Sequence, residues 1–132
     1  MTPEEGIRRT LALYCQLCDD GRFDEWAQLY VDDAELHVLG TTHRGRRAIQ
    51  AFIERAQPPE RRGKHLCANP VIDLDDSGTT AQAATDFVFV AHRAEGFAIS
   101  SVGRYLDRLV LADGRWRFAR REIVLLGGAA AD

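Results

Sequence analysis

The second half of the chain is a run of long β segments with connections of hairpin length, and this run constrains the fold more than any other feature. The segments lie at residues 65–74, 80–91, 97–111 and 115–126. Turn residues make up the three connections, which read DDSG, HRAEG and DG. Such short connections join antiparallel neighbours. The sequence therefore predicts a four-stranded antiparallel meander.

Helical patterns fill most of the first half. The first helix begins at Thr2-Pro3, a good N-cap followed by proline, and it ends near Asp19, where Gly21 supplies the left-handed residue. The remaining predicted elements are a helix at 25–30, a strand at 34–39, a turn at 40–45 and a helix at 46–56. This order predicts an α+β fold in which three helices lie against a curved, mostly antiparallel sheet, with a pocket between sheet and first helix.

The composition indicates one compact domain and excludes several functions. The 132 residues are 45% hydrophobic, enough for a single core over residues 1–132, and we expect the tail at 127–132 to be disordered. A net charge of −3 disfavours a nucleic-acid binder. No run of eighteen apolar residues and no secretory signal is present, so we expect a cytoplasmic protein without a membrane partner. Three cysteines fit free thiols.

Asp19 is the first candidate for chemistry. Helical steps of four residues back from it reach Cys15, Leu11 and Ile7, so Asp19 lies beside the inward face and needs a buried partner. We match it to His65, because a carboxylate on one imidazole nitrogen orients the ring and frees the other nitrogen as a general base. The alternative is a polar helix end and an unrelated histidine at a strand start.

Four segments of the chain carry a family resemblance. They read YCQLCDDGRFDEWAQLYVDDAEL, GRRAIQAFI, KHLCANPVIDLD and DGRWRFARREI. With them the chain resembles the SnoaL-like group of the nuclear-transport-factor-2-like (NTF2-like) superfamily, which has a cone-shaped α+β fold. The positions of Asp19 and His65 are most similar to the scytalone dehydratase and hexachlorocyclohexane dehydrochlorinase branch. That likeness implies a catalytic Asp19–His65 dyad, with His92 as a donor to a leaving hydroxyl or, alternatively, as an exposed hairpin residue.

The resemblance and strand parity together suggest a substrate-binding set. Tyr14 aligns with the tyrosine that stabilises the enolate in ketosteroid isomerase, although a core aromatic is the simpler reading. The base of that isomerase would fall at Val38, which cannot take a proton. Val38, Cys67, Phe87 and Tyr105 are expected to line the pocket.

Two further expectations concern parity and thiols. Ile99, Ser101 and Gly103 share the parity of Tyr105, so they are expected on the concave face unless a bulge intervenes. Cys15 and Cys18 form a C-x-x-C within an apolar helical stripe, which indicates core residues rather than a metal or redox motif.

The predicted function is a cofactor-independent, metal-free dehydratase or other lyase that abstracts a proton from a small apolar cyclic substrate of polyketide, steroid or aromatic type. The alternatives are a ketosteroid-isomerase-like isomerase, a polyketide cyclase, or a non-catalytic ligand-binding or structural subunit like the small subunit of ring-hydroxylating dioxygenases. The resemblance also implies a homodimer or homotrimer built on the outer sheet face.

Overall fold

A computed structural model describes residues 1–127 of the chain. Its elements are the helices α1 (Pro3–Asp19), α2 (Phe23–Ala27) and α3 (Arg46–Ala56) and the strands β1 (Tyr30–Val38), β2 (Thr41–Arg44), β3 (Lys64–Leu74), β4 (Thr80–Arg93), β5 (Gly96–Ala112) and β6 (Arg115–Leu125). A turn of 3-10 helix, Pro59–Arg61, precedes β3. The predicted α+β class with three helices is confirmed. Of the predicted disordered tail, Gly127 belongs to a turn and residues 128–132 lie outside the described part.

The six strands form one sheet in the order β2-β1-β6-β5-β4-β3. Strands β3 to β6 are consecutive antiparallel neighbours, so the predicted meander is confirmed. β1 pairs with β6 in parallel, and β2 folds back on β1. Helix α1 contacts both the edge strand β3 and the more central β6, so the sheet curves around this helix.

Helix α1 has the boundaries that its sequence predicts. The Thr2 hydroxyl accepts a hydrogen bond from the Glu5 backbone N–H at 3.1 Å, which satisfies one of the free donors of the first turn. At the other end Gly21 has a φ of 71°, the left-handed conformation that ends the helix. Ile7, Leu11 and the other inward residues of α1 are buried against the sheet.

The chain between α1 and α3 differs from the prediction. Helix α2 covers Phe23–Ala27 rather than 25–30, because Tyr30 already belongs to β1, where it pairs with Phe118 of β6. The predicted turn at 40–45 contains the short strand β2, which pairs with β1. Both errors have one cause, since these strands depend on pairing with distant segments that local periodicity does not reveal.

Two β-bulges reverse which side chains face inward. β5 advances from Ser101 to Ile99 while β4 advances by one residue, and β6 advances from Phe118 to Arg120 while β5 advances by one. Ile99, expected beside Tyr105 on the concave face, is therefore 66% exposed on the outer face. The second bulge turns the side chain of Arg121 into the interior.

Candidate functional site

The end of α1 and the start of β3 meet at Asp19 and His65. The His65 Nδ1 lies 2.7 Å from the Asp19 Oδ1, and the two side chains are 11% and 3% exposed. The same carboxylate also accepts the His65 backbone N–H, at 3.1 Å to Oδ1 and 3.0 Å to Oδ2. The structure thus brings together the two residues that the sequence analysis matched, and it holds them by main chain as well as side chain.

The surroundings of His65 fix the plane of its imidazole. The ring lies 4.6 Å from the Phe89 ring, centroid to centroid, and Tyr14 approaches it edge-on at 6.3 Å. Because Nδ1 donates to a carboxylate, the proton on this nitrogen is fixed and Nε2 carries the free lone pair. The arrangement can therefore present one basic nitrogen from a mostly aromatic surface.

A second charged pair, Arg121 and Asp107, lies in the interior of the cone. Arg121 Nε and Nη2 donate to the two Asp107 carboxylate oxygens at 2.7 and 2.8 Å, and the side chains are 1% and 0% exposed. Burial lowers the pKa of Arg121, but the Asp107 carboxylate outweighs burial and raises this pKa well above its usual value. The guanidinium is a permanent cation at the centre of the fold.

Aromatic rings surround this cation. The Arg121 Cζ lies 4.1 Å from the Tyr14 ring centroid, 3.8 Å from that of Tyr105 and 4.3 Å from that of Phe118. Ring faces attract a cation, and more so where water is excluded. Tyr14 touches both Arg121 and His65, so it links the buried cation to the Asp19–His65 pair.

Several polar atoms in the interior have no hydrogen-bond partner within residues 1–127. They include Arg121 Nη1, the Tyr30 hydroxyl, Thr85 Oγ1 and Trp26 Nε1. A buried polar group without a partner costs free energy, so each of these atoms is available to bond a ligand atom or water. Two of the four, Arg121 Nη1 and Trp26 Nε1, can only donate, so the interior favours acceptor atoms.

The tyrosines of the interior stay protonated. Burial raises the pKa of Tyr14 above its usual value, and Arg121 only partly opposes this effect. Burial likewise raises the pKa of Tyr30 and of Tyr105 well above the usual value. These phenols are therefore hydrogen-bond donors rather than bases at neutral pH.

Three of the predicted pocket residues are buried in the interior, namely Tyr14, Phe87 and Tyr105. Tyr105 is buried and stacks on Phe87 with ring centroids 4.2 Å apart. Gly103 lies beneath that stack, and a Cβ there would collide with the Val124 carbonyl oxygen and the Phe87 ring. Cys67 is half-buried on the same strand as His65.

Two other predicted residues lie apart from the pair. His92 is exposed and stacks on Phe97 at the β4–β5 hairpin, with ring centroids 4.9 Å apart. It is three positions beyond Phe89, the strand partner of His65, so the structure does not bring it to the pair. Val38 is half-buried at the end of β1, opposite Ile123.

The sequence analysis missed Arg121, the most deeply buried cation. Strict alternation along β6, counted from the buried Trp116 and Phe118, would place Arg120 inside and Arg121 outside. The bulge after Phe118 reverses these two positions. A usable signal exists in Asp107, an acid within the apolar β5 segment and on the parity of Tyr105. A buried acid there requires a cation on a neighbouring strand.

Cavities of about 440, 410 and 260 Å³ occur elsewhere on the molecule. The first lies between the start of α1 and the β5–β6 turn, beside Trp116, and the other two lie on the sheet near Asp73 and Arg108. None of these three is lined by Asp19 or His65. The aromatic rings next to His65 are those of Tyr14 and Phe89.

The described residues show neither a metal site nor a membrane-spanning helix. Between residues 1 and 127, no group of three or more His, Cys, Asp or Glu side chains is placed to hold a metal ion. Over the same stretch, no helix combines the length and apolar character that crossing a bilayer requires.

Residues 1–122 match the family model of the SnoaL-like domain. The matched range includes Asp19, His65 and Arg121. No curated protein shows a significant match to the chain.

Solved structures share the fold. An NTF2-like protein with a cystatin-like fold from Novosphingobium aromaticivorans has a TM-score of 0.85 at 30% identity, over 96% of this chain and 84% of that chain. A candidate scytalone dehydratase from the same organism has a TM-score of 0.85 at 26% identity, over 98% and 87% of the two chains. The beta subunit of a candidate aromatic-ring-hydroxylating dioxygenase, also from this organism, has a TM-score of 0.79 at 23% identity, over 96% and 91%, a likeness of fold alone.

Proposed function

The chain belongs to the SnoaL-like domain family, and we propose that it is a cofactor-independent lyase that removes a proton from a small, mostly apolar cyclic substrate and eliminates water. The observation that carries this proposal is the 2.7 Å contact between the His65 Nδ1 and the Asp19 carboxylate. The likeness to a candidate scytalone dehydratase favours elimination over other proton-transfer reactions.

His65 is the proposed base. Its Nε2 takes a proton from a carbon next to a substrate carbonyl, and the Asp19 carboxylate stabilises the imidazolium that forms. Both groups are nearly buried, so water competes little for the charge of the pair.

Arg121 is the proposed stabiliser of the enolate. Its Nη1 is buried without a partner in the described chain, and the cation shares the Tyr14 ring with His65. When the α-proton leaves, negative charge develops on the carbonyl oxygen, and a fixed donor in a water-poor site lowers the energy of that state. Asp107 keeps the guanidinium in place, so little reorganisation is needed at the moment of reaction.

The same histidine, His65, completes the elimination as a general acid. The enolate expels the hydroxyl on its β-carbon while the His65 imidazolium returns the proton to that oxygen. Water leaves, and the product is the conjugated ketone. The base is regenerated, and no redox partner or metal is consumed.

The test is turnover of a panel of bicyclic β-hydroxy ketones, followed by the absorbance of the conjugated product. Asp19→Asn and His65→Ala are each expected to lower kcat by roughly 10²–10⁴-fold, the range typical of a lost general base. His43→Gln is the matched control, because His43 stacks on Phe52 of α3 at a ring-centroid distance of 4.4 Å and lies away from the pair. If the Asp19 and His65 variants turn over a substrate as fast as the parent does, the proposal is wrong.

A second candidate function is a non-catalytic subunit or ligand-binding module. It is favoured by the three cavities, none of which Asp19 or His65 lines. Titration of the same ketones against the fluorescence of Trp26 and Trp116 distinguishes the two functions. Saturable binding without turnover by the parent protein supports the binding module, and stable co-purification with a larger subunit supports the structural one.

A further inference from the structure

Two thiols meet across the contact between α1 and β3. The side chains of Cys15 on α1 and Cys67 on β3 interact with each other. The Cys67 S–H also donates a weak hydrogen bond to the Leu11 carbonyl oxygen of α1, with the sulfur 3.9 Å from that oxygen. Leu11 is one helical turn before Cys15, so the Cys67 side chain lies directly over that turn of α1. The two sulfurs are therefore neighbours, although 52 positions separate them in the sequence.

The two thiols differ in access and reactivity. Cys67 is half-buried, whereas Cys15 is 5% exposed. The interaction with Cys15 lowers the pKa of Cys67 below its usual value, which makes Cys67 the more reactive thiol of the two. Burial raises the pKa of the third cysteine, Cys18, to about 12. Cys67 is thus the accessible nucleophile and Cys15 the thiol placed next to it.

We propose that Cys15 and Cys67 form a reversible disulfide that ties α1 to β3, by exchange with a low-molecular-weight disulfide. The proposal stands on the contact of the two thiols and does not depend on the proposed lyase activity. Transient disulfides of this kind are the form in which intracellular proteins respond to oxidation.

The exchange balances in two steps. The Cys67 thiolate attacks one sulfur of the small disulfide, which forms a mixed disulfide on Cys67 and releases one small thiolate. Cys15, deprotonated by that thiolate or by solvent, then attacks the Cys67 sulfur and releases the second. Two electrons pass from the protein to the small disulfide, and the two protons end on two small thiols.

The disulfide would act on the candidate site through its position. Cys15 lies four residues before Asp19 on α1, and Cys67 lies two residues after His65 on β3. Bond formation brings the sulfurs from non-bonded contact to about 2.05 Å. The helix and strand that carry Asp19 and His65 then move as one unit, so the oxidation state of the thiols sets how freely these two residues can separate.

The experiment is oxidation of the whole chain with excess oxidised glutathione at mildly alkaline pH, followed by alkylation and mass spectrometry. The expected result is a mass about 2 Da below that of the reduced protein, restored by dithiothreitol. After trypsin, the peptides 10–22 and 65–93 should be found as one linked species, since no Lys or Arg lies within either. Fragmentation should place the link at Cys15, with Cys18 alkylated.

Three variants sharpen the result. Cys67→Ser should abolish the link, and Cys15→Ser should stop at a glutathione adduct on Cys67. Cys18→Ser is the matched control from the same helix and should form the link as the parent does. Glutathione on Cys67 with Cys15 free in the parent protein, a link through Cys18, or no oxidation at all would each overturn the proposal. If a variant fails to fold, the tryptic peptide map of the oxidised parent protein still shows whether Cys15 and Cys67 are linked.

Discussion

At the scale of single residues, the Arg121–Asp107 pair is the feature on which the interior depends. A guanidinium and a carboxylate with almost no exposure form two hydrogen bonds with each other, and three aromatic rings surround the cation. Removing water from both charges is costly, and the mutual attraction offsets that cost only while both partners are present. Each charge of the pair is therefore tolerated in the interior only while its partner is present.

Loss of one partner should therefore destabilise the fold strongly. Asp107→Ala leaves the Arg121 cation buried without its counterion, and we expect the free energy of unfolding to fall by about 3–5 kcal/mol. Urea denaturation followed by circular dichroism measures this change. The matched control is Glu25→Ala, which breaks the exposed Arg22–Glu25 pair at the start of α2 and should leave the midpoint nearly unchanged. Equal midpoints for the two variants would contradict the structural importance of the buried pair.

Residue-level prediction from the sequence succeeded for one pair and failed for the other. Asp19 and His65 were matched because helical steps from buried positions mark Asp19 as inward and a family resemblance supplies His65. Arg121 was not predictable from alternation, because one bulge beside Phe118 reverses the faces of the rest of β6. A bulge is decided by pairing with a neighbouring strand, so it leaves little trace in the sequence of the strand that contains it.

At the scale of elements, the β3–β4 turn is built around the Asp75 carboxylate. This group accepts hydrogen bonds from the Ser77 hydroxyl at 2.7 Å, from the Gly78 N–H at 3.1 Å and from the hydroxyl and N–H of Thr80. The hydrogen bonds from the Thr80 and Ser77 hydroxyls lower the pKa of Asp75 from 3.8 to about 2. The charged form is thus the one that the folded turn prefers.

The sign of the resulting pH dependence follows from that lowered pKa. Stabilisation by Asp75 is fully present above about pH 4, its ordinary range, and is lost as the pH falls through about 2. We expect Asp75→Asn to lower the thermal midpoint at pH 7, and the gap from the parent protein to narrow between pH 4 and pH 2. Thermal melts at several pH values measure this. Asp76→Asn, in the same turn, is the control, and a gap independent of pH would contradict the assignment.

Elements with strong local signals were predictable and those without them were not. The caps of α1 and the short turns between long strands fixed their own boundaries. Helix α2 and strand β2 have five and four residues, too few for periodicity to identify. Their conformation depends on neighbours that are distant in sequence.

At the scale of the whole molecule, the outer sheet face is unusually apolar. Leu66, Val102, Leu106 and Val124 lie on it, all more than one third exposed. The Asp86–Arg104 pair lies among them, with Arg104 opposite Val124. A two-fold axis through this face would place Asp86 of each copy near Arg104 of the other, so the face is complementary to itself in charge as well as apolar.

We therefore expect a homodimer through the outer face. Leu106→Glu should shift the protein from dimer to monomer, because it buries an uncompensated charge at each copy of the interface. Size-exclusion chromatography with light scattering measures the mass. Leu39→Lys, a change of another exposed leucine, in the β1–β2 turn and away from this face, should leave the mass unchanged. A monomeric parent protein would contradict the expectation.

The architecture was predictable because every large element agrees with its neighbours. Alternating strands, short turns and an amphipathic first helix all lead to one curved sheet around one helix. The space in front of Asp19 and His65 was not predictable, because it depends on the rotamers of large aromatic side chains. Tyr14, which approaches the His65 ring, packs against Tyr105, and Tyr105 stacks on Phe87. These rotamers cannot be deduced from the sequence.

The Asp19 carboxylate contacts residue 65 in two ways, through the imidazole and through the backbone N–H. The first contact serves the proposed chemistry and the second holds the fold. Each oxygen of the acid binds the amide of residue 65, a bond that survives any side chain except proline. The substitution His65→Ala therefore leaves the backbone hydrogen bonds between α1 and β3 in place. A different side chain at residue 65 can therefore replace the imidazole, and with it the proposed chemistry, while the backbone connection between α1 and β3 stays the same.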